Sequence, residues 1–220
     1  MKTCKNTDAK PHIVLCAPRQ TGKTTLVEKI LREAGCPSFG APVPVYGFQT
    51  RRLVRSDGTA EIYMFPAGSA PDSAPEGSVP PDARYLGSTF GRVKDVCPEA
   101  FDSYGTSLIR SARPGGLLIM DEIGHMEKNS PQFLEAVFEA LDGDIPVLAC
   151  VRYTEADAVS AGQIAGQAGQ AAVAATIGRN PRSLDYLERI KHHPRVRLFM
   201  MTGENRDDIY ANVRSAIFCK

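Results

Sequence analysis

The run Ala17-Pro18-Arg19-Gln20-Thr21-Gly22-Lys23-Thr24 follows the apolar stretch His12-Ile13-Val14-Leu15-Cys16 and opens onto a helical pattern. Residues of these types at this spacing hold phosphates. Gly22 permits a tight turn whose backbone N–H groups converge on an anion at a helix N-terminus. Lys23 supplies a cation for β- and γ-phosphates, and the Thr24 hydroxyl suits Mg²⁺. Ala17, Pro18, Arg19, Gln20, Thr21, Gly22, Lys23, Thr24 and Thr25 are therefore the candidate nucleotide-binding residues. Ala17 stands where the pattern G-x-x-x-x-G-K-[ST] begins with glycine, so the backbone there must avoid positive φ. Arg19 occupies a variable position and is expected to face solvent.

A second constellation completes the chemistry. Leu117-Leu118-Ile119-Met120 is an unbroken apolar run, suited to a parallel strand buried on both faces, and it delivers Asp121-Glu122 to the strand's C-terminal end. Asp121 and Thr24 are the candidate metal ligands for Mg²⁺. Glu122 can polarise an attacking water, which favours hydrolysis over kinase chemistry. Asp121-Glu122-Ile123-Gly124 also fits a D-x-x-G pattern in which the Gly124 N–H meets the γ-phosphate. No guanine-reading N-K-x-D or T-K-x-D follows, so the nucleoside triphosphate is ATP or GTP with the base open. Arg51, Arg52, Arg55, Arg92, Arg152 and Arg179 lie in or near expected loops as cations for transition-state charge. Arg152 is preferred because it follows a strand ending near the site. Lys23, Glu122 and Arg152 form the catalytic set.

These residues need a frame that alternates strands and helices. Leu26, Val27, Ile30, Leu31 and Ala34 make one helical stripe ending at Gly35. Val43 to Val54 and Glu61 to Phe65 flank the turn Ser56-Asp57-Gly58 as a β-hairpin. Tyr85 to Phe90 reads as a strand and Pro98 to Ser111 as a helix. Ser130 is the expected cap of a helix beginning at Pro131, with Phe133, Leu134, Val137, Phe138 and Leu141 inward. Ile145 to Val151 is the next buried strand. Pro181 to Ile190 is helical, Val196 to Met201 is the last strand, and Ile209, Tyr210, Val213 and Ile217 stripe the closing helix. Asn205 is read as that helix's cap. The fold class is α/β, a P-loop NTPase three-layer sandwich with a mostly parallel sheet and an inserted β-hairpin. It forms one domain over residues 1–220, with mobile loops near 66–82 and 154–176.

Composition narrows the partners. The 220 residues are 43% hydrophobic and 23% charged with a net charge of +1, enough to bury a core and too balanced to favour nucleic acid. Six scattered cysteines offer no C-x-x-C pair for zinc or redox work, and the polar start and short apolar runs suggest neither leader nor membrane span. A soluble, cytoplasmic protein is expected. Cys16 and Cys150 fall in strand patterns as packing residues. His192-His193 lacks carboxylate or cysteine at metal spacing, and His12 and His125 lack evident partners. Phe48 either fills the core or stacks on a base.

With these motifs placed, the chain resembles the cancer-related nucleoside-triphosphatase family of small phosphate-loop proteins. The resemblance rests on the loop, on Gly47-Phe48-Gln49-Thr50, on Asp121-Glu122-Ile123-Gly124-His125-Met126-Glu127 with Phe133 following, and on Thr202-Gly203-Glu204-Asn205-Arg206-Asp207. It implies slow hydrolysis of several nucleoside triphosphates. Ala17 replaces a glycine, His125 stands where that family has lysine, and Arg51-Arg52 stand where it has acidic residues. The leading expectation is Mg²⁺-dependent hydrolysis of a nucleoside triphosphate to diphosphate and phosphate. A nucleotide or small-molecule kinase is the alternative. A nucleotide-operated binding module, with an unidentified protein partner, is the second.

Overall fold

The computed structural model describes residues 10–18, 20–35, 42–69, 77–90, 93–153 and 186–218. The chain runs β1 (His12–Ala17), α1 (Lys23–Ala34), β2 (Val45–Val54), β3 (Ala60–Pro66), β4 (Arg84–Phe90) and β5 (Val93–Val96). A helical run follows, built from α2 (Pro98–Ala100), a π-helical turn (Phe101–Gly105) and α3 (Thr106–Arg110). Then come β6 (Leu117–Ile123), a 3₁₀ turn (Met126–Asn129), α4 (Pro131–Asp142) and β7 (Val147–Arg152). The described chain closes with α5 (Tyr186–Lys191), β8 (Val196–Met200) and α6 (Arg206–Phe218). The segments 70–76 and 154–185, which include most of the two loops expected to be mobile, and Arg19, Arg92 and Arg179 lie outside the described residues.

Eight strands form one sheet in the order β5-β4-β3-β2-β6-β7-β1-β8. The pairs β1–β7, β1–β8, β2–β6 and β6–β7 are parallel, as the alternating strands and helices require. The expected hairpin is present as β2–β3, its first arm starting two residues later than expected and its second extended by one residue at each end. Strands β4 and β5 continue it as an antiparallel meander. β5 went unread because Val93-Lys94-Asp95-Val96 is short and charged, typical of an edge strand whose partner rather than its own pattern defines it.

Helices cover both faces, giving three layers. Along β1 every residue is buried and successive side chains part company. Ile13, Leu15 and Ala17 join Leu26, Val27 and Ile30 of α1 and Ile209 and Val213 of α6. Val14 joins the opposite core with Phe101, Ile109, Phe133, Val137, Leu187 and Ile190. Phe48 settles into that second core with no exposed surface, its ring 5.6 Å from Phe133, which in turn meets Phe101 at 5.5 Å. Its role is therefore packing, not base stacking. Cys16 and Cys150 are likewise buried in their strands.

Two expected caps are corrected. Ser130 sits at the N-cap of α4, but its hydroxyl donates to the Pro98 carbonyl, 3.3 Å away, and makes no cap bond. Asp102 from the π-helical turn does the work instead. Its Oδ1 accepts the Phe133 N–H at 3.0 Å, so a carboxylate from a neighbouring helix meets the positive end of α4. Asn205 contributes only its backbone carbonyl to α6, accepting from Ile209 N–H. Its side chain turns back into the preceding loop, where Oδ1 accepts Thr202 N–H and Nδ2 donates to the Met200 carbonyl.

His12 is fully buried, and neither ring nitrogen has a hydrogen-bond partner among the described residues. Burial, assisted by the nearby Arg195 guanidinium, lowers its pKa to about 4. Because the unfolded imidazole takes a proton near pH 6.5 and the folded one does not until about pH 4, stability is lost as pH falls through that window. Relative to His12→Leu, the wild-type chain should lose about 2 kcal/mol between pH 7.5 and pH 5 in paired denaturant titrations. Equal pH profiles for the two proteins would remove His12 as the cause. Asp102→Ala should cost about 1 kcal/mol in the same assay through loss of the α4 cap, with nucleotide turnover retained.

Candidate functional site

The site forms where β1 and β6 end on either side of β7. β1 runs into the loop through Ala17, which is 1% exposed, stays in the strand and avoids positive φ as its side chain demands. The left-handed geometry falls instead on Gln20, with φ 63°, and Gly22, with φ 90°. Gly22 is the N-cap of α1 and offers no side chain to its amides, so the first turn's N–H groups point outward for an anion. Lys23 is 6% exposed and folds back over the loop. Its Nζ donates to the Ala17 carbonyl at 2.8 Å and the Pro18 carbonyl at 3.2 Å. Thr24 and Thr25 are exposed at the start of α1, and Thr21 hydrogen-bonds the Pro18 carbonyl at 2.7 Å.

At the β6 tip, Asp121 is 1% exposed, and neither carboxylate oxygen has a hydrogen-bond partner among the described residues. Burial raises its pKa to about 6, a rise that the neighbouring Cys150, Thr24 and Lys23 side chains oppose. An orphaned buried carboxylate beside a threonine hydroxyl suits a hard divalent cation taking oxygen ligands, so the residues present fit Mg²⁺. Glu122 points elsewhere and is part-exposed, its Oε2 3.5 Å from Lys23 Nζ. Its backbone N–H donates to the Thr50 hydroxyl at 3.3 Å. Thr50 and Gln49 reach this level because β2 runs parallel to β6, pairing Gln49 with Asp121. Gly47 makes that pairing possible. A Cβ at this position would stand 2.0 Å from the Ile119 carbonyl oxygen.

Gly124 lies just past the strand with its N–H committed to Glu127 Oε2 at 3.1 Å, and its carbonyl accepts the Tyr186 hydroxyl. The backbone group expected to face the γ-phosphate is thus held by a carboxylate in this state. Glu127 is buried, and burial pushes its pKa up to about 7. Sequence reading gave Glu127 and Tyr186 no role, because a carboxylate binding backbone three residues back leaves no periodic mark. Arg152 is where it was expected. It pairs with Ala17 across β7–β1, and its Cδ would be 3.9 Å from a Cβ on Gly124.

Arg206 was read only as part of a landmark, yet it lies over the loop. Its Cδ and Nη1 would stand 3.3 and 3.5 Å from a Cβ on Gly22. α6 holds it there by gripping α1. Tyr210 hydroxyl donates to Glu33, Arg214 Nε donates to Glu33 at 3.1 Å, and Lys29 Nζ stands 3.6 Å over the Tyr210 ring. Of the other candidate arginines, Arg51 stands 5.5 Å from the Phe65 ring centroid and Arg55 pairs with Glu61. Among the described residues, no group of three or more histidine, cysteine or acidic side chains could hold a metal, and no helix is long and apolar enough to cross a membrane.

A strand that ends in an amide-lined turn, a helix that starts on glycine, and an acidic strand tip one strand away on a mostly parallel sheet place the protein in the P-loop NTPase fold class. Residues 12–170 match the family model described as NTPase, and the chain belongs to that family. Among its relatives, the nucleoside-triphosphatase THEP1 of Thermococcus kodakarensis is 29% identical over 139 residues, covering 63% of this chain and 74% of the relative. The THEP1 of Methanosarcina barkeri is 30% identical over 129 residues, covering 58% and 68%. The fold matches the crystal structure of THEP1 from Aquifex aeolicus with a TM-score of 0.59 at 20% identity, covering 92% of this chain and 96% of that one. It matches the solution structure of a human cancer-related nucleoside triphosphatase with a TM-score of 0.57 at 22% identity, covering 95% and 98%.

The raised Asp121 pKa has the opposite pH sign to that of His12. Unfolded Asp121 ionises near pH 3.8 and folded Asp121 near pH 6, so stability falls as pH rises across that interval and the deficit persists above it. Asp121→Asn should therefore raise the stability of the nucleotide-free protein at pH 7.5 by about 1–2 kcal/mol, part of the charge's cost being kept by the amide's own desolvation. A melting temperature unchanged or lower in that variant would contradict an uncompensated carboxylate.

Proposed function

We propose that this hydrolase cleaves the β–γ phosphoanhydride of a nucleoside triphosphate, with Mg²⁺, to release the diphosphate and inorganic phosphate. The observation that carries the reading is the position of Glu122, a part-exposed carboxylate 3.5 Å from the loop lysine with its backbone N–H held by Thr50. Family membership and the names of the THEP1 relatives support the substrate class.

In this reading Lys23 exchanges the Ala17 and Pro18 carbonyls for β- and γ-phosphate oxygens, and the backbone N–H groups from Arg19 to Thr25, those of Gln20 and Gly22 included, hold the rest of the polyphosphate, with Ala17 and Pro18 shaping the entry to the loop. Thr24 and Asp121 would hold the Mg²⁺, which would supply neutralisation of phosphate charge. Glu122 orients a water in line with the γ-phosphorus and accepts its proton. Arg152 meets the charge that builds on the transferring group. Gly124 adds its N–H there once Glu127 releases it. A carboxylate at the position of Glu122 favours water over an organic hydroxyl, which places hydrolysis ahead of a kinase reaction.

Phosphate release should be measured across a panel of triphosphates with the wild type, Lys23→Ala and Glu122→Gln, with and without Mg²⁺. Lys23→Ala should lose binding or turnover by about 100-fold or more. Glu122→Gln should keep nucleotide and lose turnover by about 100-fold or more, the scale of a general base. Near-normal release from Glu122→Gln would remove Glu122 from the mechanism, and full activity in chelator would remove the metal.

A further inference from the structure

A cavity of about 710 Å³ opens directly beside the phosphate loop, and apart from Thr24 and Thr50 at its loop end none of its lining residues has a part in the hydrolytic reading. One wall is a helical stripe of α1 that starts at Thr24 and passes through Glu28 and Arg32. The other comes from Gln49, Thr50 and Arg51 of β2 and Phe65 of β3. Its size is that of a small-molecule site. Its place is informative too. The sheet order puts β2 and β3 on one side of Asp121 and β8 on the other, and Arg206 at the start of α6 lies against Gly22 rather than Thr24. The cavity therefore adjoins the metal and γ-phosphate end of the loop.

Its chemistry is cationic and wet. Arg32 and Arg51 face it with no ion pair to any described residue, and among the described residues Glu28 is the one carboxylate lining it. Gln49 is 5% exposed, and its Oε1 accepts the Gly68 N–H at 3.2 Å. Its amide NH₂ has no hydrogen-bond partner among the described residues and borders the cavity as a donor. Arg51 lies 5.5 Å from the Phe65 ring centroid, within reach of a cation–π contact. Two guanidiniums and an amide donor around one space suit an oxyanion with a polar body, because arginine matches phosphate bidentately.

We propose that this cavity is a second binding site, distinct from the phosphate loop, for a small phosphomonoester of sugar or nucleoside size. Its occupant lies against Thr50, the residue that accepts the Glu122 N–H. The inference goes beyond hydrolysis and does not depend on it, since binding is read without turnover.

The test is calorimetric titration of adenosine 5′-monophosphate, ribose 5-phosphate and inorganic phosphate. Each is run into Lys23→Ala and into wild type whose loop is filled with Mg²⁺ and a β,γ-imido triphosphate. At least one of the two esters should bind saturably to both preparations with a dissociation constant below about 1 mM. Binding of the nucleotide alone identifies a nucleoside ester, and binding of both identifies the sugar phosphate as the recognised part. Arg51→Gln and Arg32→Gln should each weaken binding at least about tenfold. Glu28→Gln should leave it unchanged or tighter. Lack of saturable ester binding in either preparation, binding of inorganic phosphate alone, or affinity indifferent to both arginine substitutions would overturn the proposal. Circular dichroism on the variants shows that any loss is not unfolding. A failure here leaves the Glu122 reading intact, and a failure of Glu122→Gln leaves this one intact.

Discussion

The arrangement depends on one costly constraint: a carboxylate at the end of a strand buried on both faces, with no hydrogen-bond partner for either oxygen among the described residues. Asp121 can occupy that position only because β6 is central, flanked by β2 and β7, and because Leu117 to Met120 bury fully around it. The core that makes β6 stable also strips the aspartate of water. The same desolvation that weakens the empty fold readies the oxygens for a cation, which they would otherwise greet already hydrated. Thr24, Lys23 and Thr50 are all set by reference to that strand tip, the first two through α1 and the third through β2.

Much of this was legible in the chain. Gly22, Lys23 and Thr24 between an apolar strand and an amphipathic stripe leave few alternatives to a phosphate loop, since each residue type answers a separate physical demand. Leu117-Leu118-Ile119-Met120 followed by two acids is equally direct, for an unbroken apolar run ends at charge only where a buried strand leaves the core. Phe48 is instructive in another way. Its two readings differed only in which neighbour it met, and the partner was Phe133, itself part of the same set of landmarks.

What stayed hidden depends on contacts between residues far apart in the chain. Nothing near Ser130 announces that Asp102 from another helix takes over the cap, because a serine before a proline is locally sufficient. Arg206 belongs to a helix that approaches the loop only after Glu33, Tyr210 and Arg214 join α1 to α6. The hold of Glu127 and Tyr186 on Gly124 is of the same kind. Periodicity reports which face of an element is apolar. It is silent about which polar groups from separate elements meet at a loop.

The inward fold of Lys23 has a consequence for which ligands the loop admits. With its ammonium resting on the Ala17 and Pro18 carbonyls, the protein carries its own tenant, an internal competitor that every incoming anion must evict. A lone phosphate offers little more than the two carbonyls already give. In the proposed reading, a chain of phosphates that also engages the loop amides and the cation site would offer several contacts for the two surrendered. The lysine would then act as a threshold, setting a minimum length of polyanion below which the loop prefers itself.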